Sequence, residues 1–260
     1  MQPKTEELLH LLFWTTEMFS RPTFRNLTDS FECWAYRNGF LPQLQKLERQ
    51  RILERDSKHP GDRLYRLTEQ GRLHALGGRD PEAQWSRQWD GVWRLVLFDV
   101  PMGQDAHRTR LRRYLRERTF GCLQGSVWIT PDPLAKERKV LAGGEVNVRS
   151  LVLLEARPCA GESDLEIVAG SWDFEEINQA YGRHLKILDQ FPAGPLRDVA
   201  AAKAMQRWAA TERLAWLAAV TVDPLLPECL LPAEYLGRES WRRRKEVLGE
   251  AGRQIRDFTV

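Results

Sequence analysis

Apolar positions change their spacing several times along this chain, and each change predicts a different element. From Glu6 to Phe19 they fall at Leu8, Leu9, Leu11, Leu12, Trp14 and Met18, the pattern of a mostly buried helix that Ser20-Arg21-Pro22 ends. Thr28 caps a second helix, Asp29 to Arg37, stopped by Asn38-Gly39. Pro42 opens a third helix that runs to about Arg51, with Leu44 and Leu47 on its inner face. A two-residue alternation follows. Ile52-Leu53-Glu54-Arg55 and Leu64-Tyr65-Arg66-Leu67 read as short strands, and Asp56 to Arg63, with Pro60-Gly61, is the turn between them. Thr68-Glu69-Gln70-Gly71 then starts a short helix to Leu76. Three helices followed by a β-hairpin is the order of a winged helix-turn-helix.

After the linker Gly77-Gly78-Arg79-Asp80-Pro81 the pattern becomes strand, basic helix, strand. Leu95-Val96-Leu97-Phe98 is an apolar strand that stops at Asp99-Val100-Pro101. A helix from Asp105 to Arg118 follows, and Phe120 to Pro131 reads as a glycine turn and a second apolar strand. A short helix near Leu134 to Leu141 and a break at Gly143-Gly144 lead to a strand from Val148 to Ala156, and Leu165-Glu166-Ile167-Val168 is expected to close the sheet. This is the order of a ferredoxin-like βαββαβ unit. The remainder is helical. Asp173 and Glu176 form a capping box ahead of Ile177, Tyr181, Leu185 and Leu188, a helix expected to reach about Phe191. Arg197 to Val220 is an alanine-rich helix anchored by Trp208 and Trp216. Asp223 to Gly237 is punctuated by prolines, and Arg238 to about Gln254 is the last helix. The fold class is therefore α+β. A winged helix-turn-helix spans residues 1–78, a ferredoxin-like middle and dimerisation domain 84–170, and a helical C-terminal domain 171–260.

Composition narrows the function. No apolar run approaches the ~20 residues of a membrane span, and the start of the chain lacks the basic and apolar pattern of a signal peptide. A cytoplasmic protein with no membrane partner is expected. Cys33, Cys122, Cys159 and Cys229 lack metal-ligand spacing and are expected to be small buried hydrophobes. His10, His59, His74, His107 and His184 are equally scattered, so neither a metal site nor a cofactor is expected. The ten tryptophans should anchor packing between layers.

Net charge is only +3, but charge is unevenly placed. Between Arg37 and Arg72 nine basic residues stand against five acidic ones. Helical periodicity turns Gln43, Lys46, Arg49 and Gln50 outward on the third helix. Gln and Lys suit base edges in the major groove, while Arg49 and Arg51 suit phosphates. Arg55, Lys58 and Arg63 would carry the wing to the backbone. In the middle domain Arg108, Arg112 and Arg116 form an i, i+4 stripe fit for the phosphates of DNA or of a coenzyme A ester. The structural alternative is pairing with acids such as Glu155 or Glu166. Asp99 has no second carboxylate at fixed spacing, and the chain shows no glycine-rich phosphate loop and no nucleophile motif, so an enzyme is not expected.

Two stretches carry a resemblance. Trp89-Asp90-Gly91-Val92-Trp93-Arg94 with the strand, basic helix and strand behind it is one. Asp223-Pro224, Leu226-Pro227, Leu230-Leu231-Pro232 and Tyr235-Leu236-Gly237 make the other. In this order, behind a winged helix, they resemble the PaaX transcriptional repressors of aromatic-acid degradation. The middle domain of that family resembles the small nuclease subunit of CRISPR adaptation, which carries an aspartate used for a metal ion where Asp99 ends the first strand here, so the resemblance also raises a metal-dependent nuclease alternative. The resemblance implies a homodimeric repressor on a double-stranded operator, relieved by a small acidic effector, typically an aryl-CoA thioester. It also exposes departures. The family's third helix begins with an arginine and carries another before a leucine; here Leu41 and Lys46 stand in those places, which leaves a non-enzymatic defence or scaffold protein with degenerate DNA reading as a further alternative. Leu214 and Leu217 stand where the family often shows a histidine and an arginine.

Overall fold

The computed structural model describes residues 41–56, 64–76, 78–99, 103, 105–134, 150–192, 194 and 199–259. The first two expected helices, the tip of the wing and the expected helix near Leu134 to Leu141 lie outside those residues. Chain contacts divide the molecule into two compact units. One takes the described residues up to Asp80 with Arg183–Leu217 and the chain from Glu239 onward; the other takes Pro81–Gly182 and Ala218–Arg238.

In the first unit the expected third helix is α1, Leu41–Arg49. It ends in a Schellman turn: the Ile52 N–H reaches back to the Leu47 carbonyl at 2.9 Å, and the Arg51 N–H to that of Glu48 at 2.9 Å. Arg51 holds the left-handed position with φ 56°. Leu47 and Ile52, the two apolar partners of such a turn, are both buried. Strands β1, Leu53–Asp56, and β2, Leu64–Leu67, then pair antiparallel, with Leu53 opposite Leu67 and Asp56 opposite Leu64. Helix α2, Glu69–Ala75, is joined to this hairpin by one residue, Thr68. The Thr68 hydroxyl donates to the Arg51 carbonyl at 2.6 Å and accepts the Gly71 N–H at 3.0 Å, so it ties the end of α1 to the start of α2. Gly71 lies so close to Ile52 that an added Cβ would overlap the Ile52 carbonyl oxygen.

The second unit holds a four-stranded antiparallel sheet in the order β4-β5-β3-β6. Its strands are β3, Trp93–Asp99, β4, Gly121–Gln124, β5, Val127–Thr130, and β6, Ser150–Ala156. Helix α3, Pro81–Trp85, precedes β3, and α4, Asp105–Glu117, crosses from β3 to β4. Val96, Phe98 and Trp128 on one sheet face pack with Leu111 and Leu115 of α4 and with Phe120. The α+β class holds, with two corrections inside this sheet. The stretch from Phe120 to Pro131 is a hairpin rather than one strand, because Gly125, at φ 52°, and Ser126 form a two-residue turn that brings Gln124 opposite Val127. Leu165-Glu166-Ile167-Val168 belongs to a helix, α5, Asp164–Ser171, and does not close the sheet. There the Ser163 hydroxyl accepts the Glu166 N–H and the Glu166 carboxylate accepts the Ser163 N–H, a capping box that outweighs the apolar alternation. The sheet is closed instead by β6, which pairs with β3 from Trp93–Ala156 to Asp99–Ser150.

The tryptophan-rich approach to β3 is a structural clip. Arg94, almost fully buried, donates to both carboxylate oxygens of Asp90 at 2.8 and 2.5 Å and to the carbonyls of Val92 and Pro131. The hydrogen bonds from Arg94, with the Val92 N–H and the Arg94 charge, hold the Asp90 carboxyl below its usual range against its partial burial. Trp93 donates to Asp164 at 2.8 Å, and Trp172 to the Thr119 carbonyl at 3.0 Å. Three long helices follow: α6, Phe174–Leu188, α7, Val199–Val222, and α8, Gly237–Thr259. The cysteine expectation is corrected: Cys122, Cys159 and Cys229 are exposed and unpaired, since they lie on the edge strand β4, in the loop after β6 and in a 3-10 turn. Cys33 lies outside the described residues.

Gly71 supplies the first prediction. Gly71→Ala should lower stability by about 1–3 kcal/mol, the usual result of overpacking against a backbone that cannot yield. Urea unfolding followed by circular dichroism checks it. An unchanged midpoint would mean that the hairpin and α2 do not need this close approach.

Candidate functional site

The candidate DNA-reading residues lie on α1 and the hairpin. Arg49, Gln50 and Arg51 are exposed together at the C-terminal end of the helix, and Lys46 is half-buried one turn earlier. The buried Leu47 fixes this orientation, because a side chain at the core forces its neighbours at i−1 and i+2 away from it. Arg49 Nε lies 3.4 Å from the Gln45 carbonyl, which lays the guanidinium along the helix surface. Gln43 is in the first half of α1, and Arg55 is in β1 opposite Tyr65. Lys58 and Arg63 lie outside the described residues.

The expected arginine stripe on α4 is divided among three local partners. Arg108 pairs with Asp105 at 2.7 Å, Arg112 reaches the Gly125 carbonyl at 3.4 Å, and the Arg116 guanidinium lies 5.8 Å from the centre of the Trp128 ring. Arg116 is exposed, while Arg108 and Arg112 are half-buried. The acids named as alternative partners are engaged elsewhere: Glu155 lies 3.5 Å from Arg94, and Glu166 caps α5. Asp99 is an exposed strand end opposite Ser150. Among the described residues no group of three or more His, Cys, Asp or Glu side chains could hold a metal ion. No helix among them is long and apolar enough to cross a membrane.

Two polar clusters were not expected. In the second unit, the buried Asp223 carboxylate accepts Tyr181 O–H at 2.6 Å, Tyr235 O–H, and the Leu225 N–H at 2.8 Å. Burial, reinforced by the Asp223 charge, pushes both tyrosine hydroxyls up, so they remain donors. The cluster pins the proline-punctuated segment to α6, which gives Asp223-Pro224 and Tyr235 a structural role. In the first unit, Glu212 of α7 and Arg244 of α8 are fully buried and joined at 2.6 Å. His184 of α6 lies between Glu212 Oε1, at 2.9 Å from Nε2, and Ser240 Oγ, at 2.7 Å from Nδ1. Because a carboxylate only accepts, Nε2 carries the proton that it donates to Glu212. The Arg244 guanidinium lies 4.7 Å from the centre of the Trp216 ring and 5.8 Å from that of Trp241. One signal for this cluster was available. Trp208, Glu212 and Trp216 are spaced i, i+4, so a glutamate between two aromatic anchors shares their buried face.

Residues 86–168 match the family model described as the PaaX protein central Cas2-like domain. The resemblance read from the sequence is thereby shown over the middle domain. No curated protein matches the chain. Among solved structures, the uncharacterized protein Rv0674 from Mycobacterium tuberculosis is similar over 86% of this chain and 85% of that one. The two share 19% identity with a TM-score of 0.49.

The buried pair sets an acid limit on stability. Burial alone would push the Glu212 carboxyl up, but the Arg244 charge and the His184 hydrogen bond outweigh it and hold it at about 2. A lowered folded value means stability that is complete above the ordinary carboxylate range, near pH 4.5, and that drains away as pH falls toward 2. Unfolding midpoints of the parent chain should therefore fall across that window. Glu212→Gln, which leaves Arg244 buried without a counter-charge, should lose on the order of 3 kcal/mol at neutral pH. A variant as stable as the parent at pH 7 would show that the charge pair is not what holds α7 to α8.

Proposed function

We propose that this chain, whose residues 86–168 form a PaaX-type central Cas2-like domain, is a dimeric DNA-binding transcriptional repressor. That domain match is the observation that carries the reading. The α1–hairpin–α2 order and the basic charge around it supply the reading head. In this account α1 enters the major groove, with Gln43, Lys46, Arg49 and Gln50 toward base edges and phosphates, and Arg51, Arg55, Lys58 and Arg63 carry the wing to the backbone. Leu41 leaves the start of the helix without the guanine fork that arginine provides, so recognition leans on its later residues. A small acidic effector of the aryl-CoA type, held by Arg108, Arg112 and Arg116, would relieve repression. The protein acts in the cytoplasm and is not an enzyme.

The homodimer is built on the outer face of the middle sheet. Val127, Leu97 and Val152 form one apolar row across β5, β3 and β6, and Ile129, Leu95 and Leu154 form the next. Val152 and Leu154 are 43% and 46% exposed on the edge strand, an apolar pair on a face opposite to α4. Apolar residues adjacent on an open sheet face suit a partner that removes them from water.

Two measurements test this reading. Lys46→Ala with Arg49→Ala should weaken operator binding by about 2–4 kcal/mol, the loss of two ordinary contacts. A double variant that footprints like the parent would move the reading head off α1. Val152→Asp with Leu154→Asp should convert the full chain from dimer to monomer in light scattering. A variant that stays dimeric at micromolar concentration would place the interface on the C-terminal helices.

A further inference from the structure

Apart from Arg116, the outward face of α4 has no role in the reading above. Leu111 and Leu115 are buried against the sheet, which turns the opposite side of the helix to solvent. Arg110, Arg113 and Arg116 stand there, each exposed and spaced i, i+3 along one ridge. None of the three has a carboxylate within ion-pair distance among the described residues. The acids on this helix do not neutralise them: Asp105 is taken by Arg108, and Glu117 alone remains on the exposed side. Arg110 with Arg113, and Arg113 with Arg116, are like charges at helix-neighbour spacing. Like charges at such spacing repel and weaken a helix in water. A short helix that carries this repulsion in water gains when a polyanion lies along it.

We propose that this ridge is a second nucleic-acid contact, distinct from the reading head, at which Arg110, Arg113 and Arg116 bind the phosphate backbone of duplex DNA without reading its sequence. Charge complementarity selects the partner. A rigid ridge rising about 1.5 Å per residue puts three guanidinium groups within about 9 Å along the helix axis, and duplex DNA offers about one negative charge per 1.7 Å of its own axis. An acidic peptide loses chain entropy to order itself on such a ridge, whereas the duplex is already stiff. Arginine suits the task, since its planar fork takes a phosphate through two parallel N–H donors and is always charged. Phosphate contact of this kind adds affinity and salt dependence and leaves sequence choice to α1.

The test uses the full chain and a fluorescent 40-base-pair duplex of random sequence, with anisotropy titrations over a range of salt concentrations. Each neutralised phosphate contributes about 0.9 to the slope of log affinity against log salt. Replacing Arg110, Arg113 and Arg116 together by Gln should lower that slope by about 2–3, and replacing all three by Lys should restore most of it. Arg110→Gln with Arg113→Gln, which leaves Arg116 over Trp128, should melt no lower than the parent, because the substitution relieves repulsion. An unchanged slope with Lys46→Ala and Arg49→Ala still weakening binding would overturn this inference and leave the reading head standing. A parent chain that binds no duplex would overturn both. A Gln variant that keeps duplex binding but loses coenzyme A binding, measured by calorimetry, would make the ridge a small-molecule site. A variant that melts lower than the parent would make the arginines structural, and either result contradicts the proposal.

Discussion

Strand β3 is the constraint on which the middle domain depends. It is paired on both edges, with β5 on one side and β6 on the other. Its register therefore decides which residues of three strands share a face. With Val96 and Phe98 on the α4 side, Leu95 and Leu97 must line the other. A slip by one residue would exchange the two faces and move both the packed core and the open apolar rows. The bidentate Arg94–Asp90 pair sits at the start of this strand, and Arg94 also bonds the Pro131 carbonyl beyond the end of β5. This buried arginine holds the register from one end. Its carboxylate partner remains partly open to water, which limits the desolvation cost.

From that register the placement of the charged residues of α4 follows. Once Leu111 and Leu115 are committed to the sheet, the arginines of α4 divide by helical angle. Arg108 and Arg112 turn to local partners, Arg110 and Arg113 turn to water, and the exposed Arg116 also lies over the Trp128 ring. The same logic governs the first unit on a smaller scale. Leu47 and Ile52 close the end of α1, Thr68 ties that end to α2, and Gly71 permits the close approach between them. The short helix, the hairpin and the next helix are thus one unit of backbone hydrogen bonds. The outward residues of α1 are held by a buried support, Leu47, rather than by contacts among themselves.

Much of this was legible from residue spacing. The positions of α1, both strands of the wing hairpin, the basic helix and the three long helices follow from apolar periodicity and caps. The hairpin of β4 and β5 was hidden because both strands are short and the eye joins two apolar runs across Gly125-Ser126, although that dipeptide is itself a two-residue turn signal. Leu165 to Val168 misled because four alternating residues weigh less than the Ser163–Glu166 capping box just ahead of them. The exposed cysteines misled because a small apolar side chain says little about which side of an edge strand or loop it takes. The buried Glu212–Arg244 pair was missed for a different reason. Two helices far apart in sequence supply the partners, so the charges that neutralise each other can be matched only in three dimensions.

A twofold dimer that reads duplex DNA would select sites that share its symmetry. Selection of a random duplex library on the full chain, followed by sequencing of the bound fraction, tests it most directly. The account predicts enrichment of an inverted repeat whose half-sites are spaced by about one helical turn or a multiple of it. Enrichment of no duplex, or of a single unrepeated site, would contradict it.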